Sequence, residues 1–174
     1  QRIGLHAHQV GGRDQVAGLR IELQLHGRRL GLWGFGKIAQ QVAQYGRAFG
    51  MDVWVWGRDS SLERARAADW TCAPDREAFL SQSDIVSVQL KLNAQTRHLI
   101  TAADLMRMKP DALFVNTSRA GLVVPGALEA ALDAGRPGAA AIDVFEDEPV
   151  TDIRHPLISR PNVLATPHIG FVEQ

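Results

Sequence analysis

A chain of 174 residues lies within the usual range of one domain and can bury about two-thirds of the surface that its unfolded form exposes. Lysine plus arginine and aspartate plus glutamate each number 19, so no global field draws the protein to nucleic acid or to an anionic membrane, and small neutral partners are favoured. The lone Cys72 excludes an internal disulfide, and apolar runs break within about eight residues, so the sequence reads as cytoplasmic, with no membrane span and no signal peptide.

Residues 1–27 carry scattered glycines and no sustained period before a short apolar run at Leu19–Leu25. They read as an irregular lead-in to a domain spanning 28–174. His6, His8 and His26 have no cysteine or acidic partner at ligand spacing, so no metal is expected. From Arg28 onward, short apolar runs alternate with segments of helical period, the pattern of an α/β fold in which a doubly wound parallel sheet of the Rossmann type carries helices on both faces, in three layers. The predicted strands are Arg29–Trp33, Asp52–Trp56, Asp84–Gln89, Ala112–Asn116, Ala139–Asp143 and Asn162–Ala165. The predicted helices are Lys37–Phe49, Ser60–Ala68, Asp75–Ser81, Ala102–Met108 and Pro125–Ala134. Ser60 with Glu63 reads as a capping box, Thr101 with Asp104 as a weaker cap, Pro125 as a first-turn proline and Gly135 as a helix stop. Cys72 is expected to be a small buried hydrophobe.

Four stretches carry chemistry. "LGLWGFGKIAQ" places Gly34, Gly36 and Ala39 in a G-x-G-x-x-A pattern between the first strand and the first helix. Such a turn lets backbone approach a pyrophosphate, and the helix opening at Lys37 offers free N–H groups and a positive dipole end. "ALFVNTSRAGLV" sets Asn116, Thr117, Ser118 and Arg119 past a strand's carboxyl end, where open parallel sheets bind ligands; an arginine there can form a two-pronged pair with a carboxylate. "AIDVFEDEP" and "ATPHIG" bring Asp143, Glu148 and His168 to the same rim. A histidine can exchange a proton near neutrality, and a nearby carboxylate fixes its tautomer. Glu146 and Asp147 are competing carboxylates expected to be solvated.

These motifs, with "PNVLATPHIG", resemble in order and spacing the D-isomer-specific 2-hydroxyacid dehydrogenases, particularly phosphoglycerate dehydrogenase-like members, over roughly Arg28 to Gly170. The resemblance implies hydride transfer between NAD or NADP and a small D-2-hydroxy or 2-oxo acid. It implies that Arg119 anchors the substrate carboxylate and carbonyl, that His168 exchanges the proton, and that Glu148 supports His168. Lys37, Ile38, Thr117, Ser118, Asp143 and the His168–Gly170 turn occupy the family's cofactor-contacting positions. It also implies a homodimer formed through the nucleotide domain, and a substrate domain of which most is absent from this sequence. "VQLKLNAQT" has Gln89 and Lys91 where the family commonly has His and Pro. The competing reading is a non-catalytic dinucleotide-binding module, either a corepressor-like scaffold or an inactive fragment.

At the second strand's end, Gly57 and Arg58 replace the acidic residue that commonly holds the adenosine ribose. Asp52 begins that strand, at the wrong edge of the sheet, and Asp59 adjoins a helix start, where a carboxylate has a structural reason to be. Loss of the carboxylate at Gly57 removes repulsion of a 2′-phosphate and leaves space. Arg58 and the N–H groups of the following helix then favour NADP, or dual use, over strict NAD.

Overall fold

The computed structural model describes residues 25–152 and 154–171. The strands are β1 (Arg29–Trp33), β2 (Asp52–Trp56), β3 (Thr71–Cys72), β4 (Ile85–Val88), β5 (Leu113–Asn116), β6 (Ala139–Ile142) and β7 (Val163–Ala165). The helices are α1 (Lys37–Ala48), α2 (Asp59–Ala67), α3 (Arg76–Gln82), α4 (Ala102–Leu105) and α5 (Ala127–Asp133), with 3₁₀ turns at Ala120–Leu122 and Ile169–Phe171. All strand pairs are parallel, in the order β3-β2-β1-β4-β5-β6-β7. The chain winds outward from β1 to β3, then returns to β4 on the other side of β1. That reversal opens a crevice outside the carboxyl ends of β1 and β4, where doubly wound sheets bind ligands.

Period-2 alternation along the strands sorts their side chains onto two cores. Leu30, Leu32, Val53, Val55, Ile85 and Leu113 meet α1 and α2 through Ala39, Ala43, Leu62 and Ala65. Trp33, Val86, Val88, Phe114, Ala140 and Ile142 meet α3, α4 and α5 on the opposite face. The three-layer α/β architecture expected from the sequence is therefore present.

Several local expectations need correction. β3 has no counterpart among the predicted strands, because two residues on an edge carry no readable period. The same edge position leaves Cys72 half-buried, its Sγ 3.7 Å from the Leu62 carbonyl, not enclosed as expected. The Ser60–Glu63 box does not form: α2 starts at Asp59 behind an extended Arg58, which puts Ser60 inside the first turn, and no side chain caps the helix. Pro125 is not in a helix, since Gly126 adopts φ 75° and α5 begins only after it. α4 ends at Leu105, and its tail tightens into turns before Pro110, whose ring disfavours helix at the residue before it. Thr101 and Asp104, by contrast, form a complete reciprocal box. Gly135 closes α5 at φ 73°, as a helix stop should. His6, His8 and nearly all of the Leu19–Leu25 run lie outside the described residues.

Candidate active site and dinucleotide cleft

The glycine turn follows β1 at the switch point. Gly34 has φ 101°, and a Cβ there would lie 2.5 Å from the Gln89 carbonyl oxygen, so only glycine suits the position. Gly36 has ordinary backbone angles and nothing within 4 Å of the place a Cβ would fill. Its lack of a side chain serves no internal packing; it keeps the mouth of α1 clear. That helix has no side-chain cap, and Lys37 and Ile38 at its start are exposed, Ile38 by 71%. A cleared, uncapped helix N-terminus fits a dinucleotide pyrophosphate. Arg64 braces this turn from α2, donating from Nε to the Phe35 carbonyl at 3.1 Å and from Nη2 to Ser61 Oγ at 3.3 Å.

Gly57 directly follows β2. A Cβ there would stand 3.2 Å from Cβ of Ser61, so the space expected from its missing side chain is taken by the first turn of α2. Arg58 is exposed and donates from Nη1 to Gln95 Oε1 at 3.0 Å. Asp52 pairs with Arg29 at 2.8 Å at the amino end of the sheet, away from the crevice. Asp59 sits exposed in the first turn of α2.

Beyond β5, Asn116 is 3% exposed, and its amide accepts from the Ser118 N–H and donates to the Arg119 carbonyl, each at 3.1 Å. Ser118 Oγ donates to the Val88 carbonyl at 2.8 Å, tying this loop to the end of β4. Thr117 and Arg119 are exposed, with Arg119 Nη1 donating to the Ser118 carbonyl at 2.6 Å. An open cavity of about 700 Å³ joins Arg119 to Glu148 and His168, with Phe145, Ile158 and Thr166 on its walls.

β6 and β7 are neighbours, so the residues that follow them converge. His168 Nδ1 lies 2.6 Å from Glu148 Oε2, and Glu148 Oε1 accepts from the Phe145 N–H at 2.9 Å. The His168 hydrogen bond, then that from Phe145, holds the Glu148 carboxyl below its ordinary range, with the charges of His168 and Arg119 adding to the effect. An ionised carboxylate only accepts, which assigns the proton on that side of the ring to Nδ1. Glu146 and Asp147 are exposed, as expected.

Asp143, 3% exposed, anchors the turn that carries His168. It accepts from the Thr166 hydroxyl, from the Ile169 N–H at 2.9 Å and from the Gly170 N–H at 2.8 Å. Burial pushes its carboxyl up, but those three hydrogen bonds and the His168 charge outweigh burial and hold it below the usual value. Three participants had no signal in the sequence: Gln95, Arg64 and the Phe145 N–H act through partners 37, 29 and 3 residues away.

Parallel sheets whose switch point carries such a glycine turn make up the dinucleotide-binding α/β domains, and by fold this chain is one of them. Within that class it belongs to the D-isomer specific 2-hydroxyacid dehydrogenases: the model of that family's NAD binding domain matches residues 4–170, reaching into the segment set apart above as a lead-in. A glyoxylate reductase of Aeropyrum pernix is 40% identical over 152 residues, which cover 86% of this chain and 44% of that protein. A crystal structure from Ralstonia solanacearum, assigned as a D-3-phosphoglycerate dehydrogenase, is 57% identical with a TM-score of 0.86, over 88% of this chain and 44% of its own. An NADPH-dependent glyoxylate/hydroxypyruvate reductase of Sinorhizobium meliloti is 28% identical with a TM-score of 0.74, over 84% of this chain and 58% of its own. The chain thus spans about half the length of the relatives it matches. No helix among the described residues is long and apolar enough to cross a membrane.

Proposed function

We propose that this chain is the nucleotide-binding half of an NAD(P)-dependent cytoplasmic oxidoreductase that transfers hydride between the cofactor and a small D-2-hydroxy or 2-oxo acid. The observation that carries the reading is the His168–Glu148 pair at 2.6 Å, on a cavity that also holds Arg119.

The nicotinamide, when bound, supplies or takes the hydride. Gly34, Gly36, Lys37 and Ile38 would hold the pyrophosphate at the start of α1. Thr117, Ser118, Asp143 and the His168–Gly170 turn would form the nicotinamide side. Arg119 offers a planar fork to the substrate carboxylate and polarises the carbonyl beside it. Glu148 keeps the proton on Nδ1 of His168, so Nε2 is the nitrogen that exchanges a proton with the substrate oxygen. In the oxidative direction the neutral ring accepts the hydroxyl proton; in reduction the protonated ring returns it. The positive charge that forms on the ring is stabilised by the Glu148 carboxylate.

At the adenosine end, the absence of a carboxylate at Gly57 and the presence of exposed Arg58 beside the uncapped start of α2 favour NADP or dual use. Among the described residues Arg58 forms no ion pair that would neutralise it. Assembly as a homodimer through this domain belongs to the same reading.

The test is hydride transfer in a form of the protein that carries a substrate domain. His168→Ala should slow the transfer by about 100- to 10,000-fold, the usual worth of a positioned proton-transfer group, with cofactor affinity preserved. A rate within about threefold of wild type would remove His168 from the acid–base role, since such a loss is far below that worth. Cofactor binding with no hydride transfer to any small 2-oxo acid would make the protein a cofactor-sensing module instead.

A further inference from the structure

We infer that Gln95 is a positioning residue for cofactor selection: its amide holds the Arg58 guanidinium at the adenosine end of the cleft without neutralising it. The inference rests on the reading above that Arg58 faces a 2′-phosphate.

The segment that follows β4 starts against the glycine turn and ends against Arg58. At its start, the positions a Gly34 Cβ would meet are the Gln89 carbonyl oxygen at 2.5 Å and Leu90 Cδ2 at 2.9 Å. At its end, Gln95 Oε1 accepts from Arg58 Nη1 at 3.0 Å. Gly57, next to Arg58, closes the circuit, since its missing Cβ would lie 3.6 Å from the Gly34 Cα. The resulting ring of backbone and side chains frames the carboxyl ends of β1, β2 and β4, the half of the crevice on the β2 side of the switch point. In doubly wound sheets the adenosine lies on that side.

Gln95 is presented by a fixed turn. Asn93 Oδ1 accepts from the N–H groups of Gln95 at 2.9 Å and Thr96 at 3.1 Å. Thr96, 4% exposed, donates its hydroxyl to the Lys91 carbonyl at 2.6 Å and accepts from the Asn93 N–H at 2.9 Å. A free arginine loses rotamer freedom when a ligand immobilises it, and an arginine already held by one of its five N–H donors loses less. Four donors remain for a phosphate.

The chemistry of the holder matters as much as its place. A carboxylate at position 95 would hold Arg58 equally well but would cancel its charge and repel a phosphate dianion. The neutral amide fixes the fork and leaves the full positive charge in place. Asp59, adjacent in sequence, forms no ion pair with Arg58 among the described residues, and Arg64 is committed to Phe35 and Ser61.

Calorimetric titration of NADP and NAD into the 174-residue chain tests this, using wild type, Gln95→Ala, Gln95→Glu, Arg58→Ala and the Arg58→Ala/Gln95→Ala double variant. Gln95→Ala should weaken NADP binding about three- to tenfold, the scale of a lost rotamer restraint, and leave NAD within about twofold. Gln95→Glu should weaken NADP further, by more than about tenfold, because the carboxylate cancels the Arg58 charge and repels the phosphate while still holding the fork in place. In the Arg58→Ala background, Gln95→Ala should cost nothing more. NADP affinity that falls in Arg58→Ala but not in either Gln95 variant would overturn the role of Gln95 and leave the cofactor reading standing. Equal weakening of NAD and NADP by Gln95→Ala would make Gln95 a plain wall of the cleft and would also overturn it. NADP affinity unchanged by Arg58→Ala would overturn both readings.

Discussion

His168 adopts φ 54°, a conformation that costs a non-glycine residue on the order of 1–2 kcal/mol. Its backbone is held there by the N–H bond to the Thr166 carbonyl at 3.0 Å and by the grip of Asp143 on the next two amides. Local strain is thus offset by a buried carboxylate. The partner, Glu148, remains about one-third exposed, so its ion pair is weakened by solvent and its value lies in fixing a tautomer more than in stabilising the fold. Because the folded carboxyl titrates below its unfolded value, the Glu148 interaction is present above the ordinary glutamate range and is lost as pH falls through the lowered folded value. A ¹³C-detected titration should therefore find Glu148 below the ordinary glutamate value, and His168→Ala should move it back up. A Glu148 that titrates at the same pH in both forms would show that the pair is not made in solution.

At the scale of elements, the rim is a product of adjacency. β6 delivers Asp143 and, through the loop beyond it, Glu148; β7 delivers Thr166 and the turn to Ile169–Phe171. Asp143 is the crosspiece, since its two oxygens serve donors 23, 26 and 27 residues away. Asp143→Ala would leave the Ile169 and Gly170 N–H groups and the Thr166 hydroxyl without their acceptor, a loss of about 1 kcal/mol for each hydrogen bond removed. The expected result is faster hydrogen exchange at Ile169 and Gly170, with β1 and β2 protected as before. Unchanged protection at those two amides would show that the turn holds its shape without the carboxylate.

On the scale of the whole molecule, the cavity beside Arg119 and His168 is open to solvent, and the chain covers about half of its relatives' length. Excluding water and fixing a substrate's orientation require a wall there. The 174-residue chain should accordingly bind a nicotinamide dinucleotide and turn over 2-oxo acids poorly. Steady-state turnover on the order of ten per second, ordinary for an enzyme, would contradict this and would mean that the described surface is sufficient by itself.

What the sequence determined alone was whatever is encoded within a few residues. The limits of β1 and β2, the glycine turn, the Thr101–Asp104 box and the stop at Gly135 all depend on period, cap chemistry or backbone freedom, which act over one or two turns of chain. The alternation of strand and helix was enough for the sheet class. Where neighbours decide, local pattern failed: Ser60 lies inside the first turn of α2 and does not cap it, and Cys72 is half-exposed because β3 lies at an edge. The motif spacing put Arg119, Glu148 and His168 on one rim, but Glu146 and Asp147 stand at the same place in sequence, and only the pairing of β6 with β7 brings Glu148 to Nδ1. Gln95 was invisible for the same reason. Its partner lies 37 residues away, and their meeting depends on β4 returning beside β1, a long-range arrangement that the packing of the whole sheet decides.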